Sequence, residues 1–251
     1  MHHFYLPPEP GHDAVLTLTD REAHHGLRVL RLSKGESVTV LDGAGRRYLC
    51  EVAELARDTI RLQIQESTFT ESLPYRITLL QAIPKGKMFD AIVQKATELG
   101  AFRIVPLLSE RVVTQLDEEK IETKVEHWRT VAIESIKQCG SAWLPQIEAP
   151  VSINDFLARA EPFELSVIAA LQPDSRHPRE WFKAFAGKNH RAPKSLGVWV
   201  GPEGDFAPDE IERVKSAGVL PVTLGPLVLR CETAAVYCLS VLNYELQSAA
   251  S

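Results

Sequence analysis

The chain has 251 residues, 45% of them hydrophobic and 24% charged, with a formal net charge of −5. That composition describes a globular protein with room for one large domain or two smaller ones; it excludes a disordered chain and a protein that coats nucleic acid nonspecifically. No apolar run approaches the roughly 20 residues that span a bilayer. Residues Met1 to Pro8 lack the basic and apolar regions of a secretory signal, and Cys50, Cys139, Cys231 and Cys238 form no CxxC pair. A cytoplasmic protein with reduced thiols, no membrane partner and no metal is therefore expected.

In chain order, the first elements read as strands. Ser37–Leu41 and Tyr48–Val52 flank Asp42-Gly43-Ala44-Gly45, a hairpin signal, and Thr59–Ile64 alternates with period two. His24–Leu30 is predicted as one short helix. Short strands with Gly-rich turns suggest a small barrel. The polar stretch Glu66–Pro74 then separates this unit, residues 1–72, from a second of different texture, residues 73–251.

From Arg76 onward apolar strands alternate with helical patterns. The strands are expected at 77–82, 103–107, 165–171, 197–200 and 221–224, and their near-continuous apolar character points to a mainly parallel sheet covered on both faces. Met88, Ile92, Ala96 and Leu99 make the stripe of a helix stopped by Gly100. Ile121, Val125, Trp128, Ala132 and Cys139 do the same for a long helix ending near Gly140. Ser152 and Asp155 form a capping box. Pro208 opens a helix that Gly218 closes, and Ala235, Leu239, Leu242 and Leu246 bury the last one. The four tryptophans are expected in the core or at an interface.

Two segments stand apart. Val198–Phe206 and Leu224–Ala234 each begin as a buried strand and break into a Gly-bearing turn before a helix. Ligands of an open α/β sheet bind at the carboxyl ends of strands, and glycines there let backbone groups approach a flat ligand. There is no GxGxxG fingerprint and no GxxxxGK[ST] loop, which argues against dinucleotide and nucleoside-triphosphate sites. His24-His25 has no third ligand at usable spacing, so packing or capping is the better reading.

The pair GPEGDF and LGPLVLRCETA resembles the two C-terminal motifs of SPOUT methyltransferases, specifically the 16S ribosomal RNA uridine-N3 methyltransferase (RsmE) family. Lys85-Gly86-Lys87-Met88, Gln94–Gly100, Ser109-Glu110-Arg111, Lys137-Gln138-Cys139 and the stretch His24–Leu32 match that family in order. The resemblance implies an α/β fold: an N-terminal PUA-like RNA-binding β-barrel followed by a trefoil-knotted SPOUT domain with a mainly parallel sheet, acting as a homodimer. It implies S-adenosylmethionine as methyl donor, leaving S-adenosylhomocysteine, and N3 of a uridine in the decoding region of small-subunit ribosomal RNA, naked or assembled, as target. Carried over by motif, the cofactor-binding residues are Leu171, Gly201, Pro202, Glu203, Gly204, Leu224, Gly225, Leu227, Leu229, Arg230 and Thr233. The chain departs from the family pattern at His3, Ser141, Leu227 and Cys231.

Arg230 is the candidate for stabilising the anion that forms on the base, with Glu232 orienting it or acting as base. The competing reading is that the two merely pair and hold the backbone. Arg28, Arg31, Lys34 and Arg46 in the first unit, and Lys85, Lys87 and Arg111 in the second, are candidate RNA contacts; for the arginines of the first unit a solvated surface is the competing reading. A knotted methyltransferase acting on another base or on a ribose 2′-hydroxyl, and an RNA-binding assembly factor without catalysis, are the alternatives.

Overall fold

The computed structural model describes residues 1–8, 14–111, 118–170 and 172–248. The chain forms two compact units: Met1–Ser72 with Ile133–Leu144, and Leu73–Ala132 with Pro145–Ser251.

The first unit holds β1 (His2–Tyr5), β2 (Val15–Leu18), α1 (Asp20–His24), β3 (Ser37–Leu41), β4 (Arg46–Leu55) and β5 (Ile60–Phe69), and takes in the end of α3 (Glu118–Cys139). The strands lie in the order β1-β3-β4-β5-β2, with β1 parallel to β3 and the rest antiparallel. Period-two alternation sends Val38, Val40, Cys50, Val52, Ile60 and Leu62 into one core with Phe4, Leu16 and Leu18. All five strands feed that single core, so the sheet must bend around it.

Three local expectations need correction here. The short helix predicted over His24–Leu30 is the end of α1 followed by a π-helical turn, His25–Leu30. The wider turn lays bare backbone at Gly26 onto β5, where a Cβ would come within 2.5 Å of Ile60 Cδ1. The polar stretch from Glu66 is not all linker. It continues β5 as far as Phe69, paired with Arg46, because a ladder with exposed side chains needs no apolar residues. Cys139 is exposed, and Ile136 takes the inward place on the last turn of α3. Next to Ile136, Lys137 is buried and its ammonium meets Glu22 at 2.8 Å and Glu134 at 3.1 Å.

The second unit contains β6 (Arg76–Ala82), α2 (Met88–Glu98), β7 (Arg103–Leu108), β8 (Gln146–Ile147), β9 (Val151–Ser152) and α4 (Ile153–Ala158). These are followed by β10 (Leu165–Ala169), α5 (Pro178–Asn189), β11 (Ser195–Val200), α6 (Pro208–Ser216), β12 (Leu220–Val222) and α7 (Cys231–Ser248). The sheet runs β12-β10-β11-β6-β7-β8, with β9 also on β7, and every pairing is parallel. Leu80, Ile168, Trp199, Phe206 and Val214 share one core, and the indole of Trp199 donates to Ser166 Oγ at 3.1 Å.

The helix ends follow the sequence chemistry. Ser152 Oγ accepts from the Asp155 amide at 3.0 Å, Pro208 opens α6, and Gly100 and Gly218 sit at φ +73° and +87° just past α2 and α6. Strand ends come earlier than the apolar runs suggest. β10 stops at Ala169 and β12 at Val222, which leaves Ala170, Thr223 and Leu224 outside the ladder.

Candidate active site

The parallel register brings three strand ends level. Ala169 of β10 pairs with Val200 of β11 on one side and Val222 of β12 on the other. These residues, with Ala170, line the apolar part of a depression at the carboxyl edge of the sheet. Gly201, Pro202 and Glu203 line it from one turn, and Leu224, Gly225, Leu227, Val228 and Leu229 from the other, with Cys231 and Ala234 of α7 completing it. About 610 Å³ of space lies within it, open solvent included.

The glycines serve different purposes. A Cβ at Gly201 would fall 2.9 Å from Asp205 Oδ1 and 3.0 Å from the Phe206 amide, so the tight turn excludes any side chain. Gly225 has φ +105°, and no described residue comes within 4 Å of where a Cβ would sit; there the backbone conformation is what calls for glycine. Beyond it, Leu227 and Val228 are 72% and 81% exposed. Among the described residues the amides of Leu227, Val228 and Leu229 donate to no protein acceptor. Apolar side chains beside open backbone donors form a fitting cradle for a flat heterocycle with polar edges.

Gln81 fixes the base of the first turn. It is fully buried at the end of β6, and its Nε2 donates to the carbonyls of Ala82 (3.0 Å), Val200 (3.3 Å) and Gly201 (3.4 Å), while its Oε1 has no partner among the described residues. Glu210 fixes the far end. Its Oε2 accepts from the Ala207 amide at 2.8 Å and its Oε1 from the Glu110 amide at 2.9 Å. The sequence reading missed both. Gln81 was detectable as one polar residue in an apolar strand, but the capping role of Glu210 is hidden by Ala207, which lacks a capping side chain.

The remaining candidates lie around this depression or apart from it. Gly204 does not line it; its carbonyl accepts from the Arg111 guanidinium. Arg230, Glu232 and Thr233 flank the lining residue Cys231 without lining the space themselves. Arg230 is exposed, and its carbonyl caps α7 by accepting from the Ala234 amide at 2.8 Å. Among the described residues it makes no ion pair with Glu232, whose Oε2 instead accepts from Cys231 Sγ at 3.4 Å. Burial, and then the Glu232 carboxylate, push the Cys231 thiol up to about 12. Leu171 lies outside the described residues.

Lys85, Lys87 and Arg111 are exposed in the second unit, and the Lys85 amide donates to Glu203 Oε1 at 3.1 Å, which ties the basic turn to the depression. Arg28, Arg31, Lys34 and Arg46 are exposed in the first unit.

Fold and site together define a parallel α/β protein with an apolar depression at its strand ends, carrying a second, mainly antiparallel β unit. Residues 71–243 match the RNA methyltransferase domain model and residues 18–65 the PUA domain model of RNA methyltransferases. The chain belongs to this RNA methyltransferase family, as its motifs imply. It is 34% identical to Ribosomal RNA small subunit methyltransferase E of Aquifex aeolicus over 96% of this chain and 99% of that one. It is 32% identical to the Synechocystis protein of the same name over 97% of this chain and 77% of the other. A Legionella pneumophila methyltransferase solved with bound SAM superposes with a TM-score of 0.86 at 31% identity, covering 96% of both chains. The Neisseria gonorrhoeae Ribosomal RNA small subunit methyltransferase E bound to S-adenosylmethionine gives 0.83 at 26%, covering 97% of both.

Proposed function

We propose that the chain methylates N3 of a uridine in the decoding region of small-subunit ribosomal RNA in the cytoplasm, with S-adenosylmethionine held in the depression between Gly201–Glu203 and Leu224–Leu229. The observation that carries the reading is the meeting of those two turns on one apolar floor at level strand ends. The naming of the relatives supports ribosomal RNA as substrate, and the bound cofactor in both superposed structures supports the donor.

When bound, S-adenosylmethionine supplies a methyl group on a sulfonium, open to in-line displacement. The residues of this chain position its carrier: the Leu227–Leu229 amides offer donors, Leu227 and Val228 cover an apolar face, and Gln81 and Glu210 hold the first turn against displacement. Uridine N3 is a poor nucleophile until its proton leaves. We assign Arg230, whose side chain has no partner among the described residues, to the negative charge that develops on the base, and Glu232 to accepting the proton or orienting the guanidinium. N3 lies on the Watson–Crick edge, so the target must be unpaired when it reacts. We assign Lys85 and Lys87 to the phosphates of that strand, with Arg28, Arg31, Lys34, Arg46 and Arg111 as further contacts.

Leu171, Gly204, Arg230 and Thr233 remain part of the proposed cofactor shell. The strand order β12-β10-β11-β6 supports a trefoil-knotted chain, and the exposed Tyr237 and Tyr244 on α7 support a homodimer.

The test is product identity. Small subunits, or naked 16S RNA, from cells lacking this methylation are incubated with the protein and S-adenosylmethionine, digested to nucleosides and analysed by mass spectrometry. 3-Methyluridine is expected. A 2′-O-methyl nucleoside or another methylated base overturns the N3 assignment, and no methylation of either substrate overturns the enzymatic reading.

A further inference from the structure

The first unit carries two large aromatic side chains at its surface. Phe69, the last residue of β5, is 52% exposed, and Trp143 is 37% exposed, outside the core. Their rings meet edge to face, with centroids 6.1 Å apart and planes at 77°. Exposed rings cost hydrophobic free energy, and here the chain also holds one of them still.

The Trp143 indole N–H donates to the Thr70 carbonyl at 2.9 Å. Ser141 Oγ accepts from the Trp143 amide at 3.1 Å and donates to its carbonyl at 3.0 Å. This is the role of Ser141: it locks the turn that presents the ring. Gly45 lies against both rings, and a Cβ there would stand 2.7 Å from each. Gly45 also donates to the Ala142 carbonyl at 2.9 Å and accepts from the Thr70 amide at 2.8 Å. The aromatic pair is therefore fixed from below, by backbone, with no neighbouring side chain laid over it from Gly45.

Positive charge stands alongside. Arg46 is the register partner of Phe69 on β4, is exposed, and its guanidinium has no partner among the described residues. The next residue, Arg47, has its guanidinium fixed on the Gly140 carbonyl at 2.6 Å. Two rings are far short of the roughly 800 Å² per partner that a stable protein interface buries. A fixed aromatic corner with adjacent arginines instead matches what a single-stranded polynucleotide requires, a π-face for the base and a cation for its phosphate.

We propose that Phe69 and Trp143 form a stacking platform for one unpaired nucleobase of the RNA, with Arg46 on the adjacent phosphate. The proposal rests on the reading of RNA as substrate and adds a specific nucleotide subsite in the first unit, apart from the reacting uridine.

The test uses the full chain and a twelve-nucleotide oligouridylate. Quenching of tryptophan fluorescence on titration is expected in the wild type and lost in Trp143→Phe, which keeps a ring and should keep most of the affinity. Phe69→Ala and Trp143→Ala should each weaken binding roughly 5- to 150-fold, the range measured for a stacked base. Arg46→Ala should reduce the salt dependence of binding by about one phosphate contact. S-Adenosylhomocysteine affinity should be unchanged in all four variants, which reports intact folding of the second unit, and circular dichroism reports the first.

Wild-type affinity in folded Phe69→Ala and Trp143→Ala, with no quenching in the wild type, overturns the platform, as does a failure of wild-type protein to bind the oligonucleotide. Unchanged RNA affinity with altered self-association on sedimentation also overturns it and makes the corner a contact between copies. The proposed methylation is tested separately by product analysis, so the platform can fail while that reading stands.

Discussion

Replacing Glu210 with glutamine probes how the turn after β11 is held. Glu210 is 2% exposed, and each carboxylate oxygen accepts one backbone amide, Glu110 at 2.9 Å and Ala207 at 2.8 Å. Glutamine is nearly isosteric but has only one acceptor oxygen, so its NH₂ must face one of those N–H groups. One buried donor then loses its acceptor, at about 1–3 kcal/mol, and the surviving bond loses its charge assistance. Allowing about 1 kcal/mol for the second effect, the total is about 2–4 kcal/mol. For a protein of this size about 1 kcal/mol lowers Tm by about 2–4 °C, so Glu210→Gln should melt about 4–16 °C below wild type by calorimetry. A Tm within about 1 °C of wild type would show that neither amide depends on the carboxylate.

Gly201→Ala forces a methyl against Asp205 Oδ1 and the Phe206 amide, at 2.9 and 3.0 Å. At about 1–3 kcal/mol for overpacking, S-adenosylhomocysteine affinity should fall roughly 5- to 150-fold in calorimetry; unchanged affinity would remove this turn from the pocket. Arg230→Ala should lower the single-turnover methylation rate by about 100-fold or more at saturating cofactor, and full activity would take Arg230 off the catalytic list. Burial holds the thiols of Cys50, Cys231 and Cys238 up near 12 while Cys139 is exposed, so one thiol per chain should react quickly with a disulfide reagent at pH 8 and the others only on unfolding. Glu164 is held at about 2, below its ordinary 4.5, by the Arg191 guanidinium and the Lys194 amide. Its contribution to stability is thus complete above about pH 4.5 and lost as pH falls towards 2; the Tm gap between wild type and Glu164→Gln should close over that window, and a gap that is flat or widens there would contradict the assignment.

What the sequence made legible, and what it did not, follows from range. The apolar strands, Gly100, Ser152, Pro208 and Gly218 act within a few residues of themselves, and they stand where local pattern put them. The turns at Gly201 and Gly225 were legible as broken strand ends, but their meeting depends on a register that places Ala169 between Val200 and Val222, and no periodicity encodes that. Long-range partners were hidden for the same reason. Glu210 meets Glu110 across 100 residues, and Gln81 reaches Val200 and Gly201 across 119 and 120. The return of Ile133–Leu144 to the first unit is likewise invisible, because a helix stripe says which face is buried and not against what. Residue type alone could not choose between core and surface for Trp143; Ser141 and Thr70 hold it at the surface.

The central claim is that the Gly201 and Gly225 turns build one methyl-donor site, and isothermal titration of the full chain with S-adenosylhomocysteine tests it most directly. Saturable binding of one molecule per chain, weakened in Gly201→Ala and in Gly225→Ala, is the predicted result. No heat with the wild-type protein, or binding indifferent to both substitutions, would contradict it.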